Sequence, residues 1–283
     1  MPLILIASYV DWRSIDWRLP WLIFASFLAG TLNAVAGGGS FLSFPAMLSI
    51  GLGPIQANAT NTVALWPGQL TSIAGYWNEV KKHPSLAVRM AIAGLIGGSV
   101  GAIILLNTPA TTFIRLVPWL LLFAAVVFAV SDPLMKQIQK WTRRRAATRG
   151  GSDAQDPALD DRPRNYWPLI LLTVLVCFYI GYFGAGAGFL IITLLSLFGF
   201  TDLNEMNAMK VVSTTLANGM ACILFAFSGK VEWRYCLAAM VTCAIGGYLS
   251  ARVAQRLNPR FLRGLVVAIG LGMAAYFFWR IHS

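Results

Sequence analysis

Two glycine clusters are the first features of this sequence of 283 residues that could bind a ligand. Residues 36–40 read Ala-Gly-Gly-Gly-Ser and residues 184–188 read Gly-Ala-Gly-Ala-Gly, each between two apolar runs. Glycine allows a helix to break at membrane depth, and a helix that restarts there presents free N–H groups and a positive dipole end. Such a helix start is a ready anion site. The candidate ligands are Gly38, Gly39, Ser40, Gly186 and Gly188.

Close packing of helices through small residues is the other interpretation of these clusters. The apolar runs that follow them, about residues 41–52 and 187–200, are short for a full membrane span. Because each cluster precedes a shortened run, the sequence favours broken or re-entrant helices. The second helix of each pair is predicted to start at Ser40 or Gly188.

Polar side chains form a stripe along the apolar run that follows each short one. The stripe residues are Asn58, Asn61 and Gln69 in the first half, and Asn207, Lys210, Thr214 and Asn218 in the second. Because amides and hydroxyls are unfavourable against lipid, both stripes are predicted to face the protein interior. There they could hydrogen-bond neighbouring helices or line a substrate pathway. Their matched positions in the two halves favour a pathway.

Lys210 is the most informative single position, because it lies inside an apolar run. Glu205 is five residues earlier and is a poor partner on the same helical face. The lysine could snorkel to the interface or attract an anionic substrate, and we favour the second interpretation. A cation carrier normally shows an Asp or Glu inside the membrane. Here Glu79, Glu205, His83 and His282 lie at run ends, where they are poor candidates for a proton relay.

Composition indicates a membrane protein, since 57% of residues are hydrophobic and only 12% are charged. The net charge of +11 comes mainly from short connections between apolar runs, which is typical of the positive-inside bias and not of nucleic-acid binding. The four cysteines show no metal-ligand spacing, and the histidines are too few for a metal or nucleophile site. The sequence contains no HExxH motif. It therefore predicts neither an enzyme nor a bound cofactor.

The chain is predicted to be all-α and polytopic, with five apolar runs on each side of a polar stretch. The runs span about 20–36, 41–52, 58–77, 87–106 and 113–131, then about 167–183, 187–200, 207–228, 234–251 and 261–280. Residues 1–131 and 167–283 are thus predicted to be two membrane units, with 1–18 as an interfacial segment. Residues 132–166 hold a basic cluster and an acidic tail, which predicts a flexible cytoplasmic linker.

The two membrane units match in sequence. Ile96-Gly97-Gly98 corresponds to Ile245-Gly246-Gly247 at an offset of 149, and Gln69 shares this offset with Asn218. Such matches, each at the same place in the hydropathy pattern, predict an internal repeat.

Basic residues place the connections at 79–89 and 252–263 in the cytoplasm. If the connections at 107–112 and 229–234 are external, each half crosses the membrane an odd number of times. The second half is then inverted, and both termini lie outside the cytoplasm. Inverted repeats are typical of secondary transporters, which bind substrate near the membrane midplane.

These residues resemble the TauE/SafE sulfite-exporter family. The resemblance rests on residues 30–41, Gly-Thr-Leu-Asn-Ala-Val-Ala-Gly-Gly-Gly-Ser-Phe, with 58–62, and on 181–189, 207–210, Asn218 and 229–233. It covers nearly the whole chain apart from the linker and the extreme termini, and it adds Asn33 to the candidate ligands. The resemblance implies export, or in some members uptake, of sulfur-containing anions such as sulfite and organosulfonates. It also implies a bacterial or archaeal plasma membrane and no prosthetic group.

The sequence therefore predicts an inner-membrane secondary transporter that exports a small sulfur-containing anion by alternating access between two inverted repeats. An anion channel with the same pathway lining and a non-transport membrane scaffold are the alternative hypotheses. The expected partners are the anion and the lipid bilayer, with no nucleic acid, and the chain could form a homo-oligomer. The exact substrate, the direction of transport and the coupling ion stay open.

Overall fold

The computed structural model describes residues 17–36, 38–148, 166–200, 202–253 and 259–282, and all regular structure in these ranges is helical. The first five helices are α1 (Arg18–Ala36), α2 (Ser40–Ser49), α3 (Pro54–Lys82), α4 (Pro84–Asn107) and α5 (Ala110–Thr148). The other five are α6 (Trp167–Tyr182), α7 (Ala187–Leu197), α8 (Leu203–Phe227), α9 (Trp233–Val253) and α10 (Pro259–His282). The all-α prediction is confirmed for this part of the chain. Most of the predicted interfacial segment lies outside the described residues.

Each predicted apolar run corresponds to one helix, and the main differences lie at helix ends. Helix α3 begins at Pro54 rather than near residue 58, since proline is favoured at the first helical position. Helix α5 continues to Thr148, well past the predicted end at residue 131. This extension is rich in Lys, Arg, Gln and Ala, which are good helix formers, so the first part of the predicted linker is helical rather than flexible. Residues 149–165 lie outside the described residues.

Three helices in the described ranges are long and apolar enough to cross a membrane: α4, α8 and the part Ala110–Val127 of α5. Helices α4 and α8 have 24 and 25 residues. At a rise of about 1.5 Å per residue they exceed the ~30 Å hydrocarbon core. Helix α4 also exposes large apolar side chains such as Ile92, Ile96 and Ile103 on one face. A surface of this kind requires lipid, and the chain is a multi-pass membrane protein.

The short helices α2 and α7 each belong to a hairpin. They have 10 and 11 residues, which gives about 15–17 Å, half of the hydrocarbon core. The Trp21 indole N–H donates to the Ser49 hydroxyl at 2.9 Å, so the end of α2 lies beside the start of α1. We call α1 with α2 the first glycine hairpin and α6 with α7 the second. The described residues of the glycine clusters lie between the paired helices, where the sequence predicted helix breaks, although α7 begins at Ala187, one residue before the predicted start.

Helices of the two halves pack against each other more extensively than within a half. Helix α4 packs against α6 and α8, and α9 packs against α1 and α3. Glycines let these backbones touch. A Cβ at Gly97 would lie 2.4 Å from the carbonyl oxygen of Val174, and one at Gly246 would lie 2.1 Å from that of Phe27. We call these close contacts the first glycine seam (α4–α6) and the second glycine seam (α1–α9).

Candidate functional site

Helices α3 and α8, which carry the two predicted stripes, are neighbours and run in opposite directions. Near the start of α3, the Thr60 hydroxyl oxygen accepts a hydrogen bond at 3.0 Å from the backbone N–H of Glu232, which follows α8. Just after the end of α3, His83 Nε2 lies 3.3 Å from Glu205 Oε1 in the first turn of α8. The stripes are therefore brought side by side, one on each helix.

At the crossing of α3 and α8, residues at the repeat offset meet one another. Gln69 Oε1 accepts a hydrogen bond from Asn218 Nδ2 at 2.9 Å, and the two residues are 149 apart in sequence. The Trp66 indole N–H donates to the carbonyl oxygen of Thr215 at 3.0 Å, again across 149 residues. The Trp66 ring also packs on Gly219, where a Cβ would lie 3.1 Å from the ring. Trp66 is therefore an internal contact between the two halves.

The turn of the second glycine hairpin reaches this crossing. Gly184 and Gly186 have φ angles of +80° and +72°, the left-handed region that favours glycine. A Cβ at Gly184 would lie 3.8 Å from Asn218 Oδ1. Asn58 Nδ2 donates to the carbonyl oxygen of Tyr182, the last residue of α6, at 3.2 Å. Asn58 thus ties α3 to the hairpin, a contact of the kind that the neighbouring-helix interpretation expects.

Lys210 lies beside the first turn of α7. Its Nζ donates to Asn207 Oδ1 at 2.9 Å, and a Cβ at Gly188 would lie 3.5 Å from Lys210 Cδ. The hydroxyl of Thr214 donates to the carbonyl oxygen of Lys210 at 2.8 Å, along the same helix. The first N–H groups of any helix have no partner within that helix. A half-buried cation and a helix N-terminus are therefore brought together here.

The turn of the first glycine hairpin is tightly packed. A Cβ at Gly39 would lie 2.5 Å from the carbonyl oxygen of Ala29 and 2.9 Å from Asn33 Cβ. The Ser43 hydroxyl lies within hydrogen-bonding distance of Asn61 Oδ1 and 3.1 Å from the carbonyl oxygen of Gly39. Asn61 is buried, so this pairing satisfies its amide oxygen inside the protein.

The structure thus sorts the candidate residues into two hairpin groups and one crossing. The groups are Asn33, Gly38, Gly39, Ser40 and Asn61; Gly186, Gly188, Asn207, Lys210 and Thr214; and Gln69, Asn218 and the tie Asn58. Sequence reasoning missed Ser43, although a hydroxyl one helical turn after Gly39 could have indicated it. Among the described residues, no group of three or more His, Cys, Asp or Glu side chains could hold a metal ion.

The amide pair at the crossing predicts measurable coupling between the halves. Gln69→Leu and Asn218→Leu should each lower the unfolding midpoint in detergent, because each leaves the other amide unpaired. The double variant should lose less stability than the sum of the singles, by about 0.6–1.7 kcal/mol, as expected for hydrogen bonds in membranes. A double-mutant cycle measures this, with the exposed Ser72→Ala as control. Strict additivity would contradict a direct pair.

Sequence comparisons agree with the helical architecture. The profile of the family described as sulfite exporter TauE/SafE matches residues 22–277. The chain belongs to this family. It is a membrane transporter and not an enzyme, and the resemblance seen in the glycine motifs is confirmed. The match spans every candidate residue.

Relatives in the TauE/SafE family come from several bacteria. The chain is similar to "Probable membrane transporter protein ORF9" of Sinorhizobium sp., at 25% identity over 257 residues that cover 90% of each chain. It is similar to "Probable membrane transporter protein YfcA" of Escherichia coli strain K12, at 26% identity over 271 residues, 93% of this chain and 90% of that one. A "Probable membrane transporter protein" of Haemophilus influenzae is 23% identical over 257 residues, 90% and 92% of the two chains. No solved structure matches the chain significantly.

Proposed function

We propose that this TauE/SafE transporter is a secondary transporter that exports a small sulfur-containing anion, such as sulfite or an organosulfonate. The observation that carries the proposal is the position of Lys210, whose stem passes Gly188 at the first turn of α7. An ammonium group offers three donors, one of which Asn207 accepts. The start of α7 adds backbone N–H groups and a positive dipole end. Sulfite and sulfonate oxygens are acceptors that suit this set of donors.

The two hairpins differ in a way that supports a single anion-binding site. Asn61 stands where the repeat offset of 149 places the counterpart of Lys210. It pairs with Ser43 beside Gly39, so the first hairpin offers neutral groups where the second offers a cation. An anion gains more from the charged donor than from neutral ones. We therefore assign the anion-binding site to the second hairpin. Gln69 and Asn218 lie at the inner end of this site.

Alternating access between two inverted repeats, residues 1–131 and 167–283, is the proposed mechanism. It is supported by the crossing of α3 and α8, where residues at the repeat offset meet on antiparallel helices. A two-fold axis that brings such residues together is perpendicular to both helices, and for helices that cross a membrane it lies in the membrane plane. The glycine seams support the same relation. Gly97 meets α6 at Val174, and its counterpart Gly246 meets α1 at Phe27.

The proposed location is the bacterial inner membrane, with residues 132–166 in the cytoplasm and both termini on the outer side. The basic cluster of that segment supports its placement. The bacterial relatives and the family name support the membrane and the substrate class.

Transport by the purified protein in proteoliposomes tests the proposal. Labelled sulfite and sulfoacetate should be exchanged across the membrane, and taurine, thiosulfate and sulfate should compete to different degrees. Exchange should saturate at micromolar to millimolar concentration, as transporter sites do. Protein-free liposomes are the control for leakage.

Three results would overturn the assignment. Transport of a neutral metabolite or a cation, with no transport of or competition by any of these oxyanions, would contradict an anion-binding site. Large single-channel currents in planar bilayers would replace the transporter by an anion channel. Absence of any flux, with normal folding, would leave the scaffold hypothesis.

A further inference from the structure

Helices α4 and α6 run in the same direction along the first glycine seam. The carbonyl oxygen of Val174 meets Gly97, and four residues later on both helices the carbonyl oxygen of Phe178 meets Gly101. The two helices therefore begin side by side, at the same end of the molecule.

The inner side of this helix pair is covered by α8. The carbonyl oxygen of Ser213 lies 2.5 Å from a Cβ built at Gly94 of α4, and 4.0 Å from the sulfur of Cys177 on α6. Successive residues of a helix are about 100° apart, so a residue two positions from a contact points to the opposite side. Positions two away from Gly94 and Cys177 therefore lie on the outer side of the pair.

The outer side carries two rows of exposed apolar side chains, one on each helix. Ile92 and Ile96 are each two residues from Gly94. Leu175 is two residues from Cys177. The α4 row extends about 16 Å along the axis, roughly half of the ~30 Å hydrocarbon core and thus the depth of one leaflet. The rows are Ile92, Ile96, Val100 and Ile103 on α4, and Trp167, Leu171 and Leu175 on α6.

A cation lies at the head of the α4 row. The exposed Arg89 precedes Ile92 by three residues. Its guanidinium carbon is 5.1 Å from the centre of the ring of Tyr166, the residue directly before α6. This cation–π contact holds the charge between the starts of the two helices. Arg89 is about 27 Å along the axis from Asn107, the last residue of α4, and so lies near the edge of the ~30 Å hydrocarbon core.

Two of the described carboxylates at this end of the molecule have partners other than Arg89. Glu79 accepts a hydrogen bond from Lys82 at 2.7 Å. Glu205 lies 3.3 Å from His83. Among the described residues, no carboxylate forms an ion pair with Arg89. A guanidinium offers several donors in one plane, a geometry that suits phosphate.

We propose that α4 and α6 bind one anionic phospholipid on their outer side, with its phosphate on Arg89 and its acyl chains along the two apolar rows. The exposed hydroxyl of Ser85, one helical turn before Arg89 on the same face, adds a donor for the headgroup. Basic sites between transmembrane helices on the cytoplasmic side bind anionic headgroups, and the sequence predicts that this end of α4 is cytoplasmic. The inference needs only the membrane location and is independent of the transported substrate.

A lipid suits this surface better than a soluble anion does. An exposed cation attracts a free anion only weakly in water, because solvent and salt screen the charge. The apolar rows below Arg89 add nothing for such an anion. They do add binding energy for acyl chains attached to the same phosphate, which the charge then fixes in one place.

Native mass spectrometry of the purified full chain, with phosphatidylglycerol added to the detergent, tests the inference. The wild type should bind one phosphatidylglycerol molecule at least about fivefold more tightly than Arg89→Gln does, the effect expected for one cation near an anionic headgroup. Arg89→Lys should recover part of the affinity by restoring the charge. Phosphatidylcholine, which has the same acyl chains and no net charge, should bind the wild type and Arg89→Gln equally.

Lys82→Gln is the matched control, because it removes a positive charge at the same end of the molecule from an exposed residue that is already paired with Glu79. It should leave phosphatidylglycerol binding unchanged. Tyr166→Leu provides a second variant if Arg89→Gln fails to fold. It should weaken binding, whereas Tyr166→Phe keeps the ring beneath the guanidinium and should not.

Three outcomes would overturn the inference. They are equal affinity of the wild type and the folded charge or ring variants for phosphatidylglycerol, no preference of the wild type for phosphatidylglycerol over phosphatidylcholine, and displacement of the lipid by inorganic phosphate at the same concentration. The last result would indicate a site for a soluble anion. Because no transported substrate is present in this experiment, failure of the proposed function in proteoliposomes would leave the lipid site standing.

Discussion

Replacing Lys210 by methionine is expected to raise KM for sulfite or sulfonate exchange by about tenfold to a hundredfold. Methionine keeps an unbranched stem that fills the space beside Gly188, where Lys210 Cδ now lies. The variant loses the charged donor, and a hydrogen bond to a charged group contributes about 1.5–3 kcal/mol, which corresponds to this range. Because the stem remains, folding and α7 packing should be little affected. Flux in proteoliposomes at several anion concentrations measures the change.

Lys230→Met is the matched control, because Lys230 is an exposed lysine in the α8–α9 connection. It should leave KM unchanged, and Lys210→Arg should recover part of the affinity by restoring the charge. Equal KM values for Lys210→Met and the wild type would remove Lys210 from the site. The lysine would then serve only to reach the membrane interface, the alternative that the sequence left open.

The second large effect is expected for Gly101→Ala, in the first glycine seam. A Cβ at Gly101 would lie 2.1 Å from the carbonyl oxygen of Phe178 and 2.8 Å from the backbone nitrogen of Tyr182. Backbone atoms cannot move aside as a flexible side chain can, so α4 and α6 must separate along the seam. The free energy of unfolding should fall by about 3 kcal/mol or more. This is a large share of the roughly 5–15 kcal/mol by which most folded domains are stable. Thermal unfolding in detergent measures it.

Gly75→Ala provides the control for the same substitution where there is room. No heavy atom lies within 4 Å of a Cβ built at Gly75 in α3. Alanine is the better helix former by about 0.5–1 kcal/mol, so this variant should be as stable as the wild type or slightly more stable. Similar unfolding midpoints for Gly101→Ala and Gly75→Ala would show that the α4–α6 contact does not depend on glycine.

The helices were predictable because a membrane span imposes a length and an apolar composition that appear directly in sequence. The hairpin turns were predictable for a related reason, since glycines between two apolar runs leave the backbone free to reverse, and Gly184 and Gly186 do adopt positive φ. The end of α5 was not predictable from the sequence, because its last part is a polar helix of Lys, Arg and Gln with no apolar run to mark where it ends.

The candidate site was predictable in part. Polar side chains inside apolar runs indicate an interior position, and Asn58, Asn61 and Asn218 are indeed buried. Sequence cannot separate a tie such as Asn58 from a ligand, because the partner is a distant backbone carbonyl. The burial of Glu205 escaped prediction for the same reason. The exposure of Glu205 depends on where the α3–α4 connection packs. The contact between His83 and Glu205 joins residues more than a hundred positions apart in the sequence.

The glycine seams determine which parts of this transporter can move as units. Each seam binds a helix of one half to a helix of the other, α4 to α6 and α1 to α9. A motion that parted residues 1–131 from 167–283 would pull both seams open where backbones touch. Under the proposed alternating access, the bodies that rock against each other are therefore not the two repeats themselves. Each draws helices from both repeats, one from α4, α6 and α8 and the other from α1, α3 and α9. The surface left to shear runs between α3 and α8, where amide and indole hydrogen bonds can break and re-form at low cost.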